Sequence, residues 1–275
     1  MGVKTYVKRM IKYITSEHKP SQVFIHPQIV NNLDFKGKVV LVTGGSDGIG
    51  FEIAKKFSNC GAKVIITGRN QEKLNATTKK LKNTFAFRHD ISDLKLTDKL
   101  LDFIYGKFSK LDIIISNAGI SLHEESYLHV TPETFEQQFN INLKGSYFLV
   151  QKIMKRQPKD LNIIFITSER GDQCDYLPYG LTKAALNSLI RGLSCAYYKN
   201  NIRVNGIAPG VTCSNLIKKD KKSDLSNPNH PSKRFFIPEE VAEIATFLSS
   251  EAANCISGEI IHCDAGNYLN PWWQP

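Results

Sequence analysis

The sequence predicts a doubly wound α/β domain, and three observations carry that expectation. From Lys38 onward, short β-branched runs alternate with longer amphipathic stretches. The apolar runs are four to six residues long and end at Gly, Asn or Asp, as strands covered on both faces do. Between about residues 33 and 266 there is neither an internal repeat nor a linker, so the whole stretch reads as one unit.

The elements follow in order. KVVLVTG reads as a strand and GFEIAKKFSNCG as the helix that covers it. AKVIITG, TFAFRHD and LDIIISNAG are the next strands, separated by the helical stretches QEKLNATTKKLKN and LTDKLLDFIYGKF. A long helix is expected around residues 131–154, then the strand NIIFITS, a helix at about 179–199, the strand IRVNGIAP, the helix EEVAEIATFLSS and a last strand, EIIHCDAG. Repeated strand, helix, strand units require right-handed crossovers and a parallel sheet, here of seven strands flanked by helices. Residues 33–270 form that domain. Residues 1–32 are an extension whose Tyr6, Val7, Met10, Ile11, Tyr13 and Ile14, set among Lys4, Lys8, Arg9 and Lys12, fit a short amphipathic helix. The polar stretch 212–236 reads as a substrate loop, because it follows a strand end and has little apolar content.

Composition excludes several classes. With 41% hydrophobic and 23% charged residues, the 275-residue chain is too apolar for disorder and long enough for a sizeable core. The net charge of +10 favours anionic ligands, but the basic residues are scattered and carry no interleaved aromatics, so nucleic acid is not expected as a partner. Cys60, Cys174, Cys195, Cys213, Cys255 and Cys263 show no CxxC pairing and read as reduced thiols of a cytoplasmic protein. No apolar run approaches the ~20 residues of a membrane span, and Tyr6 breaks the myristoylation pattern that Gly2 would begin.

The turn Thr43, Gly44, Gly45, Ser46, Asp47, Gly48, Ile49 and Gly50 follows a buried strand and opens a helix, as a dinucleotide-binding turn must. Glycine lets the backbone approach a pyrophosphate, and the helix N-terminus offers unpaired N–H groups to it. Further along, Tyr179 and Lys183 stand four apart at a helix start, so their side chains share a face. A phenol near an ammonium and a positively charged ring is expected to fall from its usual value of about 10 toward working pH, which suits proton exchange with an alcohol or carbonyl oxygen. Ser168, at a strand end, can donate to that oxygen.

The TGxxxGxG spacing resembles the short-chain dehydrogenase/reductase family. In chain order so do Asp90, Ser116-Asn117-Ala118-Gly119, Asn142, Ser168, Tyr179xxxLys183 and Pro209-Gly210, a resemblance covering about 230 residues. It implies a Rossmann-like fold and an NAD(P)-dependent oxidoreductase that interconverts a secondary alcohol and a ketone. It implies that Asp90 meets the adenine, that Asn117 and Gly119 border the adenosine ribose side, and that Pro209, Gly210 and Val211 face the nicotinamide amide. Tyr179 would be the general acid/base beside Lys183 and Ser168, with Asn142 of the Asn142-Leu143-Lys144-Gly145 stretch holding a water that links Lys183 to solvent. A homodimer or homotetramer is implied as well. Gly68 stands where an acid for the NAD ribose is expected, and Arg69 follows it, which predicts NADP(H), with NAD(H) as the alternative.

One departure concerns the loop between Ser168 and Tyr179, only eleven positions on, which is shorter than the family's usual one and bears on Glu169, Arg170 and Gln173. Thr167 is a second candidate for the hydroxyl role. Leu122, Tyr176, Leu177, Leu216, Ile217, Trp272 and Trp273 suggest an apolar pocket and a hydroxysteroid-like substrate; a 3-oxoacyl thioester is the alternative. A nucleotide-sensing or scaffold protein without turnover would be expected to lack Tyr179, Lys183 or Ser168, and all three are present.

Overall fold

The computed structural model describes residues 33–214 and 224–269. The extension 1–32 and the expected pocket residues Leu216, Ile217, Trp272 and Trp273 lie outside the described residues. Seven strands are present: β1 (Val39–Thr43), β2 (Lys63–Gly68), β3 (Thr84–Arg88), β4 (Ile113–Ser116), β5 (Leu161–Ile166), β6 (Ile202–Pro209) and β7 (Ile260–Cys263). They form one sheet in the order β3-β2-β1-β4-β5-β6-β7, with every neighbouring pair parallel. This is the Rossmann-like arrangement expected.

Successive side chains along a strand point to opposite faces, and here both faces are apolar. Val39, Leu41, Ile65, Ile114, Ile163 and Phe165 join one core, whereas Val40, Val42, Val64, Ile66, Ile115 and Ile164 join the other. The helices divide accordingly. The first core is roofed by α3 (Leu94–Lys107), α5 (Ser146–Arg156) and α6 (Pro178–Tyr197), through Leu100, Leu149, Leu186 and Ile190. The second is roofed by α1 (Gly48–Asn59), α2 (Gln71–Lys80) and α7 (Pro238–Ser249), through Ile53, Phe57, Leu74, Val241 and Leu248. Among the described residues no helix is long and apolar enough to cross a membrane.

The expected continuous helix at 131–154 is in fact three pieces: α4 (Pro132–Gln138), a π-helical stretch Phe139–Gly145 and then α5. Gly145 explains part of the widening, since a Cβ there would lie 2.5 Å from the Ile91 carbonyl oxygen, so the helix runs against backbone. Asn142 sits within this stretch, and such bulges recur where a helix must aim a side chain. The helix expected at 179–199 starts at Pro178, whose fixed φ suits a first helical position, and gives way to a 3₁₀ turn, Tyr198–Asn200.

Because the chain winds outward from β1 to β3 and then returns to β4, the loops after β1 and β4 diverge. That switch point opens a crevice at the C-terminal edge of the sheet, where ligands of doubly wound folds bind. Phe165, fully buried in the central strand β5, tests the packing that holds this edge. Phe165→Ala is expected to lower unfolding free energy by about 3–5 kcal/mol in a urea titration.

Candidate active site

A cleft of about 670 Å³ lies over the C-terminal ends of β1, β4, β5 and β6. Its wall includes Gly44, Asp47, Gly48, Ile49, Arg69, Asn117, Gly119, Ser168, Tyr179, Lys183, Pro209, Gly210 and Val211, so residues scattered through the sequence are brought to one place. Ser46, Gly50, Asp90 and Asn142 are not on the wall.

At one end, β1 and β4 are joined across the switch point. Thr43 Oγ1 accepts from the N–H groups of Asn117 at 2.9 Å and Ala118 at 3.0 Å, and Asn117 Nδ2 donates to the Thr43 carbonyl at 2.9 Å. The glycine turn is then forced into close backbone contact. Gly44 has φ +65, and a Cβ on Gly50 would lie 2.3 Å from the Gly44 carbonyl oxygen. Asp47 Oδ1 caps α1 by accepting from Gly48 N at 2.8 Å, which leaves the first turn of the helix open on the cleft. A cradle without Cβ atoms at a helix N-terminus fits a pyrophosphate.

Nearby, Ser46 Oγ would lie 3.3 Å from a Cβ on Gly68, so the end of β2 has little room for a larger side chain. Arg69 reaches the wall, and Lys73, not singled out by the sequence, pairs with Asp47 Oδ2 at 2.7 Å. The Asp90 carboxyl accepts from Ser92 N and Oγ at 3.0 and 2.7 Å. Burial raises it, but those bonds and the charges of Arg69 and His89 outweigh burial and hold it below the usual carboxylate range.

At the other end, Lys183 is only 4% exposed and donates from Nζ to the last carbonyl of β5, Ile166 O, at 2.9 Å. Burial brings its ammonium down to about 8. Ser168 stands beside the Tyr179 hydroxyl and favours its ionised form, and two cations approach the ring, with Lys183 Nζ 5.4 Å and Arg170 Cζ 5.5 Å from the centroid. The expected fall in the phenol's pKa does not hold for the chain alone. Burial pushes it above its ordinary value, and the Ser168 bond and Arg170 charge oppose that without reversing it.

Thr167 also lines the cleft, but its Oγ1 donates to the Ile207 carbonyl at 3.2 Å. Asn142 ties the loop after β4 to α6. Its Oδ1 accepts from Ile120 N at 2.8 Å, and its Nδ2 donates to Ile120 O at 2.9 Å and to Thr182 Oγ1 at 3.2 Å. A Cβ on Gly119 would lie 3.3 Å from Asn142 Oδ1 and 3.6 Å from Lys183 Nζ, which places the three side by side.

The short loop before Tyr179 is held by a buried ion pair, Arg170 Nε to Asp175 Oδ2 at 2.5 Å. Asp175 Oδ1 also accepts from Leu177 N at 2.9 Å. This explains Gly180 beside Tyr179, since a Cβ there would come 1.9 Å from Asp175 Oδ2. Glu169 and Arg170 line the cleft, whereas Gln173 turns away to the Asn267 carbonyl at 3.2 Å. Of the expected apolar lining, Leu177 is buried at the head of α6, Leu122 and Tyr176 are exposed, and none of these three is on the wall, which carries Ile120, Ile166 and Val211 together with Ser121, His123, Glu169 and Arg170.

Comparison with known proteins agrees with this geometry. A family profile described as enoyl-(acyl carrier protein) reductase matches residues 44–267. The chain is 30% identical to the 3-oxoacyl-[acyl-carrier-protein] reductase FabG of Aquifex aeolicus, over 86% of this chain and 99% of that protein. It is 33% identical to the L-rhamnose-1-dehydrogenase of Scheffersomyces stipitis, over 85% and 97% of the two chains. Its fold is similar to the crystal structure of a 3-ketoacyl-(acyl-carrier-protein) reductase from Brucella melitensis complexed with NADH, with a TM-score of 0.77, 27% identity, and coverage of 85% of this chain and 99% of that one.

The ion pair of the loop gives a direct test. Asp175→Ala leaves the Arg170 guanidinium largely buried without this carboxylate and is expected to cost about 3 kcal/mol in denaturant unfolding.

Proposed function

Because this chain belongs to the short-chain dehydrogenase/reductase family and is an NAD(P)-dependent oxidoreductase acting on CH–OH groups, we propose that Tyr179 exchanges the proton and Ser168 holds the substrate oxygen. The observation that supports this reading is that Ser168, Tyr179 and Lys183 meet on one cleft wall, with Lys183 anchored to β5 by its bond to the Ile166 carbonyl. A bound nicotinamide exchanges hydride with the carbinol or carbonyl carbon and, when oxidised, adds a positive charge beside the phenol. In reduction, Tyr179 gives its proton to the substrate oxygen while Ser168 donates a hydrogen bond to the charge developing there. In oxidation, Tyr179 takes the proton from the alcohol. Lys183, whose ammonium burial has brought near neutrality, resupplies the proton through a water held near Asn142.

Gly44, Ser46, Asp47, Gly48, Ile49 and Gly50 hold the pyrophosphate, Asp90 with Asn117 and Gly119 the adenosine side, and Pro209, Gly210 and Val211 the nicotinamide side. NADP(H) is the preferred cofactor on the strength of Arg69 at the wall and of Gly68, which offers no carboxylate to the ribose. The substrate is a secondary alcohol or ketone with polar groups beside the reacting carbon. Ser121, His123, Glu169 and Arg170 support that over a hydroxysteroid, whose apolar rings would take water from these groups without offering hydrogen bonds in return. Assembly as a homodimer or homotetramer through α4, α5 and α6 belongs to the same reading, supported by the exposed Phe135, Tyr147 and Leu181. The six free thiols fit a reducing, cytoplasmic setting.

Two measurements test the assignment. Tyr179→Phe is expected to lower kcat for NADPH oxidation with a panel of polar ketones by about 10²–10⁴-fold, while NADPH binding followed by fluorescence is retained. Rates equal to wild type would remove Tyr179 from the mechanism. Arg69→Ser is expected to raise KM for NADPH by about tenfold or more and leave KM for NADH within about twofold, because only the 2′-phosphate loses a charge-assisted partner.

A further inference from the structure

Glu169 and His230 take no part in the steps above, although both are buried beside them. Glu169 directly follows Ser168, lines the cleft and is 3% exposed. Its Oε2 accepts from Asn267 Nδ2 at 3.1 Å, behind the end of β7, and lies 3.6 Å from His230 Nε2. His230, 4% exposed, belongs to the segment 224–236 that leads into α7. Its tautomer follows from Ser232, whose hydroxyl donates to the Arg234 carbonyl at 2.8 Å and therefore accepts from His230 Nδ1 at 2.7 Å, so the ring proton is on Nδ1 and Nε2 presents a lone pair. That buried Nε2 has no hydrogen-bond partner among the described residues, and the Glu169 carboxyl, when protonated, is the donor that faces it.

The segment is also docked from the cleft side. Phe236 N donates to Val211 O at 2.9 Å, and Cys213 N donates to Phe236 O at 2.8 Å. The Phe236 ring packs edge-on against His230 with centroids 5.4 Å apart, and a Cβ on Gly210 would lie 2.7 Å from that ring. Glu169, His230, Phe236 and Gly210 therefore run in series from the reaction centre to the cleft wall.

We propose that Glu169 and His230 are positioning residues that clasp segment 224–236 onto the reaction centre while both are uncharged, and that ionisation of Glu169 releases it. The clasp rests on their own geometry; only its effect on turnover depends on the roles assigned to Ser168 and Tyr179. Burial raises the Glu169 carboxyl to about 7, with the Asn267 bond and Arg170 lowering it and Asp264 raising it. Burial likewise lowers His230, against Asp264 and together with Arg234. The charged or titratable groups facing the pair are thus Arg170 from the same loop, Tyr179 from α6, Asp264 from the end of β7 and Arg234 from the segment itself. Three already have partners: Asp264 accepts from Gly266 N and Tyr268 N, Arg170 is paired with Asp175, and Arg234 is paired with Glu240.

The sign follows from linkage. A carboxyl held above its solvated value of about 4.3 favours the docked arrangement when protonated. Once pH exceeds about 7, each further unit weights the arrangement in which water reaches the carboxylate by about tenfold.

Hydrogen exchange of the full chain with NADPH present tests this without any substrate. After correction for intrinsic rates, amide protection of residues 224–236 in the wild type is expected to fall by about tenfold between about pH 7 and 8. Glu169→Gln, which keeps an acceptor for Asn267 and cannot ionise, is expected to keep its protection across the same range. Wild-type protection independent of pH would overturn the proposal, and so would a Gln variant that loses protection as the wild type does. If the Gln variant fails to fold, the wild-type series alone decides. The kinetic arm expects kcat/KM to lose an inflection near pH 7 in Glu169→Gln. If the exchange behaves as expected while no carbonyl is reduced, the clasp stands and the assigned reaction falls.

Discussion

The hydrogen bond from Lys183 Nζ to the Ile166 carbonyl is the interaction on which the rest of this site depends. β5 lies in the middle of a parallel sheet, so its last carbonyl is surrounded by protein and needs a donor there. Lys183 supplies it, at the expense of taking an ammonium out of water, and so becomes a cation at about 8 that holds its proton only loosely. The same bond sets the rotation of α6. With Lys183 fixed to the sheet, Tyr179 one turn earlier is presented at the cleft, in reach of Ser168 on the strand that provides the carbonyl.

Burial then acts on both members in the direction of neutrality. The Lys183 ammonium is lowered and the Tyr179 phenol raised, so the chain alone does not hold a ready phenolate. In the proposed reaction, positive charge added beside the phenol by the oxidised cofactor would bring it into range and so would couple proton transfer to cofactor binding. Arg170, 5.5 Å from the ring centre, contributes some, but its charge is largely committed to Asp175. The short loop before Tyr179 is thus held by an ion pair and brings a buried carboxyl to the cleft wall.

Much of this was legible in the sequence because the fold is built from strands covered on both faces. Val39 to Thr43 or Leu161 to Ile166 can hardly be anything but interior strands, and the glycine turn after the first has a backbone reason at Gly50. Asn142, Ser168, Tyr179 and Lys183 were found by their order along such strands and helices. What was not legible depends on distance in space. The π-helical stretch around Asn142 differs from a regular helix by a slight widening that apolar periodicity does not register. Asp175 left one trace, Gly180 in the position next to Tyr179. His230 and Lys73 left none, since their partners Glu169 and Asp47 are distant in sequence and the contacts exist only once the sheet edge is assembled. The upward shift of Tyr179 in the chain alone was not legible for a related reason, because a neighbouring charge can be read from spacing whereas the extent of burial cannot.

The central claim is that Lys183 and a bound oxidised cofactor together bring the Tyr179 phenol into working range. Its most direct test is the pH dependence of kcat/KM for alcohol oxidation at saturating NADP⁺, compared between wild type and Lys183→Met. The account predicts a wild-type inflection well below the ordinary phenol value of about 10, and an inflection at least about one unit higher in the variant. Coincident inflections in the two proteins would contradict it.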